Sequence, residues 1–122
     1  VWFQKLQNGE IKLPRFQRYQ AWDKRRITSL LETITYNLPL GITLLLEVDE
    51  EKFISRYLET APQTAVKVNE HLLDGQQRLT SLWRSMHNNY ENETFFIYIP
   101  EFDNEDDGIN NEHMMTYCQD SK

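Results

Sequence analysis

The chain has 122 residues, 39% hydrophobic and 26% charged, which suits one domain with a modest core and leaves little room for separate catalytic and recognition modules. Its net charge of −6 belongs to the tail: residues 1–100 carry twelve basic and twelve acidic side chains, whereas residues 101–122 carry seven acids and one lysine. A single cysteine, Cys118, excludes an internal disulfide framework and a thiolate metal cluster, and no apolar run approaches a membrane span or a signal segment, so the chain reads as soluble.

The opening Val1-Trp2-Phe3, without a methionine, reads as the start of an excised piece of a longer polypeptide. Trp2, Phe3 and Leu6 predict a short helix that stops at Asn8-Gly9. Pro14 then forces Leu13 to be extended and aims Arg15-Phe16-Gln17-Arg18 in a fixed direction, with Phe16 expected to pack inward. Between residues 12 and 26, Lys12, Arg15, Arg18, Lys24, Arg25 and Arg26 face only Asp23 as an acid, a local anion-attracting patch. At Lys24 and Arg25 a solvated basic face is the better reading. Ile27, Leu30, Leu31, Ile34 and Leu38 fall at helical spacing and predict a helix from about Asp23 to Asn37.

The apolar run from Ile42 to Val48 predicts a central strand buried on both faces. Phe53, Ile54, Tyr57 and Leu58 have the spacing of a short amphipathic helix, broken at Ala61-Pro62, and Val66-Lys67-Val68 reads as a brief strand. His71-Leu72-Leu73 reads as a short buried strand, and Leu79, Leu82, Trp83, Met86 and Tyr90 recur as a second amphipathic helix from about Gly75 to Asn89. Both helices are expected to lay their leucine faces on a small sheet, with Leu31 and Leu82 buried. Thr94 to Ile99 predicts another strand, ended by Pro100, and residues 101–122 read as an acidic loop or the frayed start of a following element.

The junction Asp74-Gly75-Gln76-Gln77-Arg78-Leu79-Thr80 puts a glycine, two amides and an arginine where a strand turns into a helix. Asp74 has the composition of an N-cap, with Gln77 three residues on completing a capping box. A helix start presents unpaired N–H groups and the positive end of the dipole, so a phosphate fits there with Arg78 as an added charge. Asp74 repels that phosphate unless a divalent cation lies between them, which points to a magnesium-assisted nucleotide site. The competing reading is a capped amphipathic helix whose Gln76, Gln77 and Arg78 face solvent. The junction is not a Walker loop, because the glycine spacing and the lysine are missing. His71, His87 and His113 show no metal-ligand spacing with one another or with Cys118.

Three segments in order, Ile11-Lys12-Leu13-Pro14-Arg15-Phe16-Gln17-Arg18 followed by Trp22, then Leu38-Pro39-Leu40-Gly41, then Leu72 to Thr80, together resemble the N-terminal domain of GmrSD-type modification-dependent restriction proteins, of the ParB/sulfiredoxin-like superfamily. The likeness runs from about Trp2 to Ile99. It implies an α+β (mixed α/β) fold with a small mixed sheet packed with helices, formed by residues 1–100, and nucleotide binding and hydrolysis at the DGQQR segment. It further implies a cytoplasmic role in defence against foreign DNA, with a C-terminal nuclease region or partner subunit outside this chain. Tyr19-Gln20 departs from the family pattern, in which a proline or acidic residue commonly follows the arginine and an aromatic comes next. Residues 49–70 are longer than the usual connection, as a lid or a tolerated insertion would be.

On this reading Arg18 and Arg78 neutralise phosphate charge and Gly75 permits close backbone approach. Asp74 positions magnesium, Gln76 or Gln77 orients water or a phosphate oxygen, and Thr80 adds a hydroxyl. Gln17, Pro14 and Trp22 shape the wall for a nucleoside triphosphate. The alternatives are a ParB-like DNA-binding regulatory module, in which nucleotide is only a conformational ligand, and a catalytically silent interaction domain.

Overall fold

A computed structural model describes residues 2–49, 54–63, 67–98 and 115–120, and these described residues form three helices and six strands in an α+β arrangement. Helix α1 (Trp2–Gln7) leads into β1 (Ile11–Pro14), α2 (Lys24–Thr35) and β2 (Leu44–Glu47). They are followed by β3 (Ser55–Arg56), β4 (Glu70–Asp74), α3 (Gln76–Met86), β5 (Glu93–Tyr98) and β6 (Met115–Asp120). No helix among the described residues is long and apolar enough to cross a membrane.

The helix ends are written in asparagine and glycine. After α1, Gly9 takes φ 72° while Glu10 N–H bonds to Lys5 O at 2.9 Å and Gly9 N–H to Leu6 O at 3.1 Å. Asn37 (φ 54°) and Asn88 (φ 50°) play the same left-handed part after α2 and α3, with Leu38 N–H on Thr33 O and Asn89 N–H on Arg84 O, both at 2.9 Å. This double closure satisfies carbonyls that a helix end otherwise strands. At its other end α2 is capped by Asp23, whose Oδ1 accepts from Arg26 N at 3.0 Å.

Strands β2, β4, β1 and β3 form a mixed sheet in that order. β4 runs parallel to β1 and antiparallel to β2, and β3 pairs antiparallel with the C-terminal half of β1. On one face, Leu72 of β4 and Ile11 and Leu13 of β1 meet Leu6 of α1, Leu79 and Trp83 of α3, and Leu58, all buried. Phe3 and Leu45 pack against the margin of this core, and the Phe3 and Trp83 rings stack at 5.8 Å. Lys5 pairs with the buried Glu70 at the start of β4, and that hydrogen bond raises the lysine pKa.

Several expectations change. β2 is an edge strand: Leu44 is 53% exposed and the central places go to β4 and β1. A continuous apolar run does not by itself distinguish a central strand from an edge strand. Phe16 is 72% exposed, because Gln17 N–H closes a turn onto Pro14 O at 3.0 Å and places Phe16 at its outer corner.

Instead of a helix around residues 54–58, β3 extends the sheet, with Arg15 N–H bonded to Ile54 O at 2.8 Å; Leu58 is fully buried, whereas Ile54 is exposed. Phe53 lies outside the described residues, as do Val66 and Ile99, and Lys67-Val68 is not a strand. α3 covers the sheet as expected, but α2 packs on α3 and β6, and Leu82 is only half-buried while Leu31 is buried. β5 joins β6 in a separate two-stranded sheet, which puts a strand over residues 115–120 of the segment read as a loop or the start of a following element.

Candidate functional site

The site is built at the junction of β4 and α3. Asp74 is still in the ladder, opposite Leu44, so the helix starts after it and Gly75 is the N-cap, at φ 91° with no side-chain cap bond. The expected Asp74 cap and its capping box with Gln77 are therefore absent from the junction. Glycine is demanded twice here: φ is left-handed, and a Cβ would stand 2.9 Å from Thr43 Oγ1. The first intrahelical bond runs from Leu79 N to Gly75 O at 3.0 Å, and no side chain among the described residues caps the amides of the first turn.

The junction borders a pocket of about 220 Å³ lined by Gln17, Arg18, Trp22, Asp74, Gly75, Gln76, Gln77 and Arg78. Eight of the ten residues singled out in sequence thus meet at one place. Pro14 and Thr80 do not line it: Pro14 is fully buried, and Thr80, 1% exposed, turns its hydroxyl into the protein.

Each side chain has a distinct setting. Gln76 lines the pocket with no hydrogen bond to its carboxamide among the described residues, so both of its ends can meet a ligand. Gln77 is committed: Oε1 accepts from Ala21 N at 2.8 Å and Nε2 donates to Tyr19 O at 3.0 Å. Both ends of the Gln77 carboxamide are thus engaged by backbone groups of the 19–21 segment.

Arg78 Nη2 donates to Ile42 O and lies 3.9 Å from Asp74 Oδ2. Its Nη1 also stands only 3.2 Å from where a Cβ on Gly41 would lie. The Asp74 carboxylate is 75% exposed, so its pairing with Arg78 is weak. Arg18 is exposed, and its guanidinium has no ion pair among the described residues.

The segment that carries Arg18 is tied down along its length. Gln17 Nε2 donates to Leu73 O at 2.6 Å, and Arg56 Nη2 donates to Gln17 O at 3.0 Å and Arg18 O at 2.9 Å. The Arg56 guanidinium also covers the Tyr19 ring at 4.3 Å. Gln20 Nε2 donates to Ser81 Oγ at 2.9 Å and Tyr90 Oη at 2.8 Å, while its Oε1 accepts from Arg84 Nη1 at 2.8 Å. Arg84 in turn pairs with Glu59 at 3.1 Å. Burial raises the Tyr90 pKa, against the lowering effect of the bonds from Gln20 and Ser81.

The sequence reading missed Arg56, which holds the Gln17 and Arg18 carbonyls, and Gln20, Arg84 and Tyr90, which meet only in three dimensions. The departure from the family pattern at Tyr19-Gln20 was the one signal at hand. Within residues 49–70, read as a lid or a tolerated insertion, Arg56, Leu58 and Glu59 bind the body of the domain.

Two guanidinium groups and a helix start outweigh one carboxylate, so the pocket favours an anion. No cluster of three or more His, Cys, Asp or Glu able to hold a metal occurs among the described residues. The single exposed carboxylate of Asp74 nevertheless suits magnesium, which keeps most of its waters and takes other ligands from phosphate.

The family model for the GmrSD restriction endonuclease, N-terminal domain, matches residues 1–122. An uncharacterized protein of Methanocaldococcus jannaschii is 33% identical over 105 residues, which cover 80% of this chain and 16% of that protein. The chain therefore spans less than a fifth of the length of that relative. No solved structure matches the chain.

Proposed function

The chain belongs to the family of GmrSD restriction endonuclease N-terminal domains, and from that premise we propose that its pocket binds and hydrolyses a nucleoside triphosphate to control a nuclease elsewhere in the polypeptide or complex. The role is restriction-related. The observation that carries the reading is that Arg18 and the Asp74-to-Arg78 turn, far apart in sequence, line one anion-favouring pocket. A triphosphate needs more than one cation, and this arrangement supplies two guanidinium groups and a helix start. The ParB/sulfiredoxin-like reading of the DGQQR turn belongs to the same proposal and is supported by the strand-glycine-helix junction at Gly75.

Magnesium, held by Asp74 and phosphate oxygens, would supply charge neutralisation at the phosphates. Arg18 binds and orients the phosphate chain as a fork-shaped donor. The first-turn amides of α3 receive a phosphate oxygen. The Gln76 carboxamide holds a water in line with the terminal phosphorus. The water oxygen bonds to phosphorus, the bond to the bridging oxygen breaks with its electron pair leaving on the diphosphate, and the water proton passes to a phosphate oxygen. DNA contact is assigned to the full-length protein.

The test is magnesium-dependent phosphate release by the full-length protein and its Asp74→Asn variant. Release by the parent, lowered by about tenfold or more in the variant at an unchanged melting temperature, is expected because Asp74 is exposed and caps nothing. A folded parent that releases no phosphate overturns hydrolysis; equal turnover in both overturns the role of Asp74.

A further inference from the structure

The phosphate pocket is too small for a whole nucleotide: about 220 Å³ lies below the roughly 300–1,000 Å³ usual for small-molecule sites. A second cavity, of about 360 Å³, lies beside it and shares two of its walls. Trp22 and Arg78 are walls of both. Beyond them the second cavity is bounded by Pro39 and Leu40, which follow α2, and by Ser29 and Thr33 on α2 itself. We infer that this second cavity is the nucleobase subsite, with the base against Trp22 and its hydrogen-bonding edge toward Ser29 and Thr33. The inference rests on the nucleotide reading of the first pocket and adds the part of the ligand that the first pocket does not hold.

The chemistry of the walls matches a base. An indole offers a flat π-face for stacking, and Pro39 and Leu40 supply apolar surface opposite polar groups. The hydroxyl proton of Thr33 is committed to Ser29 O at 2.7 Å, so its lone pairs face a ligand as acceptors and select a ring N–H or an exocyclic amine. Ser29 is exposed, and its hydroxyl serves either way.

A third cavity, of about 200 Å³, also touches Arg78 and Leu40, but its other walls include Trp2, Leu79 and Leu82 and are largely apolar. A base edge buried there would lose its hydrogen bonds to water and gain few in return. Arg78, bonded to Ile42 O beside Gly41, keeps the loop after α2 in place and so fixes the far wall of the proposed subsite.

The test compares the affinity of the full-length protein for ATP, GTP, CTP, UTP and inorganic tripolyphosphate, all with magnesium. At least one nucleotide is expected to bind about tenfold more tightly than tripolyphosphate, a margin in the range of one stacked base. Its binding should quench tryptophan emission, a signal expected to disappear in Trp22→Phe. Ser29→Trp, which fills the cavity from an exposed helix position, should erase the preference and leave tripolyphosphate binding unchanged. Thr33→Val should weaken only the preferred nucleotide, by about fivefold to tenfold as for one lost hydrogen bond.

Equal affinity for nucleotides and tripolyphosphate, or a preference that survives both Ser29→Trp and Trp22→Ala in folded protein, overturns the base subsite while leaving the phosphate pocket standing. If neither nucleotide nor tripolyphosphate binds, the nucleotide reading itself falls and the subsite falls with it.

Discussion

Gln77 Nε2 donates to the carbonyl oxygen of Tyr19 at 3.0 Å, across 58 residues of sequence. With its Oε1 on Ala21 N, this buried carboxamide is a strut between the start of α3 and the segment that presents Arg18. Gln77→Leu would strand a backbone N–H and a backbone C=O, at a cost of about 1–3 kcal/mol each where water cannot reach them. The expected outcome is a lower midpoint in urea unfolding and faster hydrogen exchange at the Ala21 amide. Parental exchange at Ala21 would contradict the strut.

Gly75 should tolerate no side chain. Gly75→Ala adds a left-handed penalty of about 1–2 kcal/mol to a Cβ placed 2.9 Å from Thr43 Oγ1. Thermal unfolding should show the loss, and Thr43→Ala should recover only its steric part, because the backbone penalty persists.

Tyr90 gives the domain an alkaline limit. Its phenol is raised above 10.0 in the folded state, chiefly by burial. Below 10.0 both folded and unfolded states keep the proton and the network around Gln20 is intact. As pH rises past 10.0 the unfolded chain ionises first, and stability falls until the folded-state value is passed. Melting temperatures followed upward from neutral pH should therefore drop less steeply in Tyr90→Phe than in the parent. Parallel curves would remove Tyr90 from the account.

The legible part of the fold was local. Asn8-Gly9, Asn37 and Asn88-Asn89 marked all three helix ends, because a left-handed residue has few chemical substitutes. The strand-to-helix change at Asp74 was legible from the shift in apolar period and the glycine, although the cap was placed one residue early. A capping box is a pattern of residue types, whereas the true start of α3 is set by how far β4 pairs with β2. The edge position of β2 and the strand at Ser55–Arg56 were hidden because each depends on partners distant in sequence.

The same reason separates the pocket residues that were found from the supports that were not. Arg18, Trp22, Gln76 and Arg78 stand in contiguous motifs. Gln20, Arg56 and Arg84 act through backbone carbonyls and each other, and no local spacing announces that.

The central claim is that the pocket binds a nucleoside triphosphate, and Arg18 tests it more cleanly than Arg78. Arg78 also holds the Ile42 carbonyl, so removing it disturbs the loop after α2, whereas the exposed Arg18 side chain has no ion pair to lose among the described residues. The most direct measurement is calorimetric titration of the full-length protein and of Arg18→Ala with nucleoside triphosphate and magnesium. The account expects binding by the parent and affinity lower by about tenfold to a hundredfold in the variant, as for a lost charged hydrogen bond, at an unchanged melting temperature. Parental affinity in Arg18→Ala, or no binding by the folded parent, would contradict it.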